Sequence, residues 1–251
     1  MILFKGLEFH TRYEHPRHGE GFIVERDKFS GWLNSPAIES EEIQRLGDGA
    51  FNVPDRFTAR TVKVGGTVRA SSMRKLLTYA DNFSALRSRD LEALTVELGG
   101  VSRWAHARVA RQPRFDLVTS PLPRARFDVE FWCPDPWIYG DSRVYKGAVA
   151  QPRVYGTVES FPTVSLVGDF SAGVRIVVSN GGPTFQYSGD ATGATFDSSR
   201  MALYLASGKT VVFPGSPPAV KPWDAAGAWW SVAALGGKSG SMELHVRDTY
   251  I

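Results

Sequence analysis

Across residues 71–86, Met73, Leu76, Leu77, Ala80 and Phe83 recur at three- and four-residue spacing, which lines one face of a helix that Ser71 or Ser72 caps. Almost everywhere else apolar and polar residues alternate, the two-residue period of a half-buried strand. Residues 2–9 and 20–26 read as strands, the second with Phe22 and Val24 on one face and Ile23 and Glu25 on the other. Val62 and Val64 alternate with Thr61 and Lys63 until Gly65-Gly66, which marks a tight turn or a bulge. Residues 94–98 and 101–110 form a hairpin across Gly99-Gly100. In its second strand Arg103, Ala105, Ala107 and Val109 share one face, and Trp104, His106 and Arg108 share the other. Residues 126–132 alternate again. A second helix is expected from Ser35-Pro36 to about Leu46, with serine as N-cap, proline at the first helical position and Glu39, Glu41 and Glu42 near the positive end of the dipole.

From residue 148 onward the pattern is all strand. Segments 154–157, 163–167, 174–179, 184–187, 194–197, 201–206, 210–213, 229–235 and 242–248 are separated by turn signals such as Gly168-Asp169 and Gly236-Gly237. Short strands at this spacing predict an antiparallel sandwich or jelly roll. The change of character falls at residues 131–141, Phe-Trp-Cys-Pro-Asp-Pro-Trp-Ile-Tyr-Gly-Asp. Two prolines one residue apart forbid a helix there and push Cys133 and Asp135 into extended backbone. Trp132, Trp137 and Tyr139 crowd the segment, unlike a flexible linker, which is polar. The pattern therefore predicts a stiff elbow between two domains, residues 1–147 and 148–251. The expected fold class is mainly β: an N-terminal β-structure with one or two packed helices, and a C-terminal antiparallel β-sandwich.

Composition narrows the class. At 251 residues the chain is long enough for one large or two ordinary domains, and 25 glycines with 15 prolines favour short strands and turns over a bundle. No apolar run approaches the ~20 residues of a membrane helix, and no secretory signal is expected from the opening Met-Ile-Leu-Phe-Lys-Gly. A single cysteine, Cys133, excludes an intrachain disulfide and a cysteine metal cage, so stability is expected from packing and assembly in a reducing compartment. The net charge of +3 hides a segregation: residues 1–55 carry six Lys/Arg against ten Asp/Glu, and residues 56–126 carry fourteen against five. Such a basic block suits nucleic acid, the acidic segment of a neighbouring copy, or a solvated surface. Its arginines are spread over several elements with no nucleic-acid motif, which favours the last two.

Candidate chemistry is sparse. His10, His15 and His18 lie around Pro16, which breaks any helix that would align them, so no metal site is expected. Phosphate-cradling glycine loops are absent, and Gly237-Lys-Ser239-Gly-Ser lacks the closing glycine of a nucleophile elbow. Asp128 with Glu130, and Asp190 with Asp197, are the carboxylate pairs a glycosidase would need, and also ordinary surface positions. Trp223, Trp229 and Trp230, with Tyr187 and Tyr204, supply flat rings on which a sugar would stack, or else fill the sandwich core. No catalytic, cofactor-binding or metal-ligating residue is expected.

Four stretches taken in order carry a resemblance: residues 21–33 ending in Gly31-Trp32-Leu33; Val53-Pro-Asp-Arg-Phe-Thr-Ala-Arg60 with the strand after it; the helix and hairpin over 73–109; and the Pro-Asp-Pro-Trp elbow. The closing Val-Arg247-Asp-Thr-Tyr-Ile adds to it. Together they resemble the distal tail proteins of long-tailed bacteriophages. The resemblance implies a structural virion protein whose first domain assembles into a homo-hexameric ring and whose second is a galectin-like sandwich. The ring would join the tail tube protein to the tail tip or baseplate protein, and the genome would pass through it without sequence-specific binding. It implies assembly in the bacterial host cytoplasm, no membrane insertion, no catalytic residue and no cofactor. Arg56, Arg60, Arg103 and Arg108 are the arginines expected at ring contacts. The alternative is a carbohydrate-binding adsorption module recognising host cell-wall glycans through Trp223, Trp229 and Trp230; a glycoside hydrolase comes third.

Overall fold

A sheet with one apolar face buries that face and loses its exposed edges together if it closes on itself. The first part of the chain does this. In a computed structural model that describes all residues except 12–18, 40–42, 46–47, 49, 52–55, 88, 120, 180–181 and 223–226, eight strands of one sheet precede residue 134. They are β1 (Ile2–Phe4), β2 (Leu7–Thr11), β3 (Gly21–Ser30), β4 (Arg60–Arg69), β5 (Glu92–Leu98), β6 (Val101–Val109), β7 (Arg114–Leu117) and β8 (Arg124–Cys133). They pair in the order β8-β4-β3-β2-β1-β5-β6, and β6 returns to β8 through Arg108↔Trp132 and Val109↔Phe131. β7 extends the same edge of β8 from Leu117↔Ala125 to Arg114↔Asp128. Every pairing in the ring of strands is antiparallel except β2–β3, where Phe9 lies beside Phe22.

Alternation decides what fills the barrel. Along β8, Ala125, Phe127, Val129, Phe131 and Cys133 are buried, and the residues between them are not. Val62, Val64, Val68, Ala105, Ala107 and Val109 point inward from β4 and β6. The helix α1 (Met73–Ser84) starts where Ser72 accepts the Lys75 amide hydrogen at its side-chain oxygen. It places Leu76 and Phe83 in the core, with the Phe83 ring 5.5 Å from Phe22 and 5.8 Å from Phe127. Its buried stripe is narrower than the sequence pattern suggests, since Met73 and Leu77 are exposed. The Gly99-Gly100 hairpin forms as expected, both glycines at positive φ (58° and 78°) as a two-residue turn requires.

One expectation holds only in its second form, a bulge or irregularity in the pairing rather than a turn, and another fails. Gly65-Gly66 is no turn: β4 runs straight through both residues, paired with Asp128 and Phe127 on one side, with Val24 opposite Gly66 on the other. A Cβ on Gly66 would lie 2.0 Å from the Ile23 carbonyl oxygen, beside the irregularity in β3 between Val24 and Phe29, so the glycine permits a close approach of two backbones. The helix expected over 35–46 is also absent from the described residues there. Ile38–Glu39 pairs with Arg56–Phe57, and Ile43–Gln44 pairs with Ala50–Phe51. The cap signals are real, but Ile38 and Ile43 are five apart and make no helical stripe, and β-branched residues suit a ribbon.

The second compact unit spans Tyr139–Tyr250, the first Met1–Ile138 with Ile251. One of its sheets has the order β9-β18-β11-β14-β15-β16: β9 (Ile138–Gly147), β18 (Gly240–Tyr250), β11 (Thr163–Gly168), β14 (Thr195–Asp197), β15 (Ala202–Tyr204) and β16 (Thr210–Val212). The other is β10 (Val149–Ala150), β17 (Trp230–Ala234), β12 (Val174–Val178) and β13 (Thr184–Tyr187). Val164, Leu166, Phe196, Met242 and Leu244 from the first sheet share one core with Ile176, Phe185, Trp230 and Val232 from the second, which makes a β-sandwich. The strand expected at 154–157 does not form, although Val154 is in that core. The protein is mainly β, with one helix among the described residues.

Candidate assembly site

Paired apolar side chains that stay exposed mark a surface of the first unit. Directly opposed residues of an antiparallel pair face the same side, so Ile38 meets Phe57 and Ile43 meets Phe51. Their exposures are 57% and 39% for the first pair and 50% and 55% for the second, and Leu33 just before them is exposed too. A two-stranded ribbon is marginal alone in water, and clustered exposed apolar residues signal an interaction surface. The ribbon residues have local support: Arg45 places its guanidinium 5.1 Å from the Phe51 ring centre, and the Thr58 amide donates to the Ala37 carbonyl at 2.9 Å. Phe57 also packs edge-on against Trp137, 5.6 Å between ring centres. The sequence carried a signal for this surface in Ile38, Ile43, Phe51 and Phe57, apolar residues that fit no helical stripe.

Arg60, the first residue of β4, corrects an expectation. Proposed as a ring contact, it is only 2% exposed. Its Nη1 shares its two hydrogens among the carbonyls of Gly31 (2.9 Å), Trp32 (3.0 Å) and Asn34 (2.6 Å), and its Nε donates to the carbonyl of Pro136 (3.0 Å). Burial lowers its pKa from the usual arginine value, with the nearby Cys133 opposing. Cys133 lies opposite Arg60 in the β4–β8 register, and its own burial pushes the thiol up to about 11, against Arg60 and with help from Asp135. A thiol so held is a packing residue, since the thiolate is the reactive form. Asp135 is a turn residue: its Oδ1 accepts the Trp137 amide hydrogen at 3.1 Å.

The remaining arginines do not gather into one patch. Arg56 is exposed on the ribbon opposite Glu39. Arg103 is half-buried on the inward-pointing side of β6, opposite Val96, whereas Arg108 points the other way and lies over the Trp132 ring at 4.6 Å. Of the tryptophans, Trp230 is fully buried in the sandwich core and cannot serve as a platform; Trp229 next to it points to the opposite face and is 46% exposed. Trp223 lies outside the described residues.

The carboxylates have local duties. Asp128 is 3.7 Å from Lys28, and Glu130 is held by Lys63 at 3.2 Å and Arg111 at 2.8 Å, along a cleft of about 350 Å³ whose charges answer one another. Asp190 accepts the Thr192 amide and Asp197 accepts the Ser199 amide and hydroxyl, each closing a turn. His10 faces Glu8 at 3.1 Å, and His15 and His18 lie outside the described residues. Among the described residues there is no group of three or more metal-ligating side chains, and no helix long and apolar enough to cross a membrane.

No protein-family model matches the sequence, and comparison with curated proteins found no match. Among solved structures the chain is similar to the Dit (gp 19.1) protein of phage SPP1, described as a paradigm of hub adsorption apparatus in Gram-positive infecting phages. The TM-score is 0.65 at 14% identity, covering 90% of this chain and 95% of that one. Two structures of the phage P2 baseplate in its activated conformation are more distant. The one with Ca has a TM-score of 0.49 at 8% identity, covering 88% of this chain and 89% of that one. The one with Sr has 0.43 at 8%, covering 85% and 87%. The chain has the fold of the SPP1 Dit protein over nearly its whole length.

Proposed function

We propose that this chain is a structural subunit of a phage tail hub, a distal tail protein that forms a ring with copies of itself between the tail tube and the tail tip or baseplate. The observation that carries the reading is the fold shared over 90% of the chain with the SPP1 Dit protein. Two features of the first unit support it. A closed ring needs two different faces on each subunit that fit one another. The segregated charge, acidic over residues 1–55 and basic over 56–126, and the exposed apolar pairs Ile38/Phe57 and Ile43/Phe51 supply material for such faces. Arg56 is the expected charged contact among those residues. The subunit would belong to the virion and leave a channel through which the genome passes without base-specific contacts.

The test is the mass of the purified full chain by light scattering, with negative-stain images. Rings of uniform size, hexameric by this reading, are expected. A monomer at every concentration that also fails to bind the tube and tip proteins would sink the proposal. Glycan recognition by the second unit is the lesser reading, because burial of Trp230 leaves Trp229 as the described exposed indole there. Binding to a wall-glycan array that Trp229→Ala abolishes would promote it.

A further inference from the structure

We infer that Arg60 is a latch that makes the root of the ribbon and the turn after β8 a single cooperative element. The segment that leaves β3 at residues 31–34 and the turn at residues 134–137 both run outside any strand, so neither has a ladder of its own to hold it. Arg60 supplies the missing partner for both. Three carbonyls of the first segment and one of the second converge on one guanidinium, from positions 26 to 29 and 76 residues away. All four contacts are with carbonyl oxygens, so the charge is balanced by dipoles that keep their positions only while both segments are in place. Arginine suits this task because its donors form a rigid planar fork; a lysine ammonium is a single point on a flexible stem.

Two further contacts tie the same pieces together. Gly31, at φ +83°, lies so close to β4 that an added Cβ would sit 1.9 Å from the Thr61 carbonyl oxygen, and the adjoining Trp32 is buried. On the other side, the turn fixed by Asp135 carries Trp137 onto Phe57 of the ribbon. The ribbon therefore meets the turn twice, through Arg60 at its outgoing end and through Phe57 at its returning end. Loosening either segment costs the other its partner. Because coupling between two sites is reciprocal, anything that seats on the ribbon tightens the turn, and anything that fixes the turn orders the ribbon root. The inference is independent of the hub reading, since it concerns the isolated chain.

Hydrogen exchange on the full-length protein tests it with two variants that disturb opposite ends. Arg60→Lys is expected to raise exchange on the order of tenfold or more in peptides over both 31–37 and 134–138, as the loss of bonds to a charged group implies. The β5–β6 hairpin should keep its protection. Asp135→Ala, which removes the acceptor of the Trp137 amide and none of the Arg60 bonds, is expected to speed exchange at residues 31–34 as well. Exchange that rises in one segment alone in either variant overturns the latch, and so does an Arg60→Lys loss spread evenly over the barrel. Should Arg60→Lys fail to fold, Asp135→Ala decides by itself: faster exchange at 31–34 supports the latch and unchanged exchange there refutes it.

Discussion

In the barrel and in the ribbon segments of the same unit, apolar residues face each other across paired strands, with opposite outcomes. Ile2 opposite Val96, and Phe9 beside Phe22, are buried. Ile38 opposite Phe57, and Ile43 opposite Phe51, are exposed. The local pattern is the same in both places. What differs is the number of neighbours: a barrel strand is paired on both edges and covered on one face, and among the described residues a ribbon strand has one partner and little cover, Trp137 beside Phe57 and Arg45 over Phe51. Pairing alone therefore does not bury an apolar residue, and a well-formed but exposed pair is a surface waiting for a second layer.

The largest expected effect breaks the comparison on its buried side. Phe22 contacts the rings of Phe9, Tyr79, Phe83, Phe115 and Phe127, so it joins three strands to the helix. Phe22→Ala is expected to cost about 3–5 kcal/mol, the usual loss for emptying such a site, read as a lower urea midpoint with an unchanged slope. A loss below about 1 kcal/mol would mean that the barrel interior is no better packed than the ribbon.

A smaller effect reports on how dry that interior is. Cys133 is buried at the end of β8, and its thiol is pushed from 9.0 up to about 11, by burial first and by Asp135 second, with Arg60 working against both. The folded state thus holds this proton more tightly than the unfolded chain. The associated stability is fully present below about pH 9 and is lost as pH rises through about 11, on the order of 2–3 kcal/mol in all. Lysines and tyrosines titrate in the same range, so the measurement is a comparison. Unfolding free energy should fall more steeply between pH 9 and 11 in the wild type than in Cys133→Ala. Parallel curves would place Cys133 in contact with water.

How much of this was legible in the sequence follows from the range of each interaction. The Gly99-Gly100 hairpin, the α1 helix and the inward faces of β6 and β8 rest on residues within a few positions, and the alternation displayed them. Closure of the barrel rests on Arg108 and Val109 meeting Trp132 and Phe131, which no local pattern announces. The helix expected at 35–46 was a case of good capping residues without an apolar stripe, and the missing stripe was the better guide. Arg60 shows the limit most clearly. In the sequence it is one cation of a basic block, and only the carbonyls brought to it from 26 to 76 residues away put it inside. The pair Trp229 and Trp230 was decidable, since neighbours in a strand face opposite ways and only one could enter the core. The ribbon pairs were visible as apolar residues with no place in a helix, but nothing local said that the chain would leave them exposed.

The smallest expected change in the isolated chain is the one that sharpens the comparison most. Phe51→Ser removes an exposed ring whose described company is Ile43 and Arg45, so the unfolding free energy of the monomer should stay within about 0.5 kcal/mol of wild type. If the pair serves another subunit, the same substitution should lower the mass found by light scattering at concentrations where the wild type assembles, because the contact would lose an apolar side chain from its core. Phe22→Ala should do the reverse, costing stability in the monomer whatever its state of assembly. A Phe51→Ser monomer destabilised by more than about 1 kcal/mol would show that the ribbon is part of the barrel's own packing, and the distinction between a covered pair and a waiting one would fall.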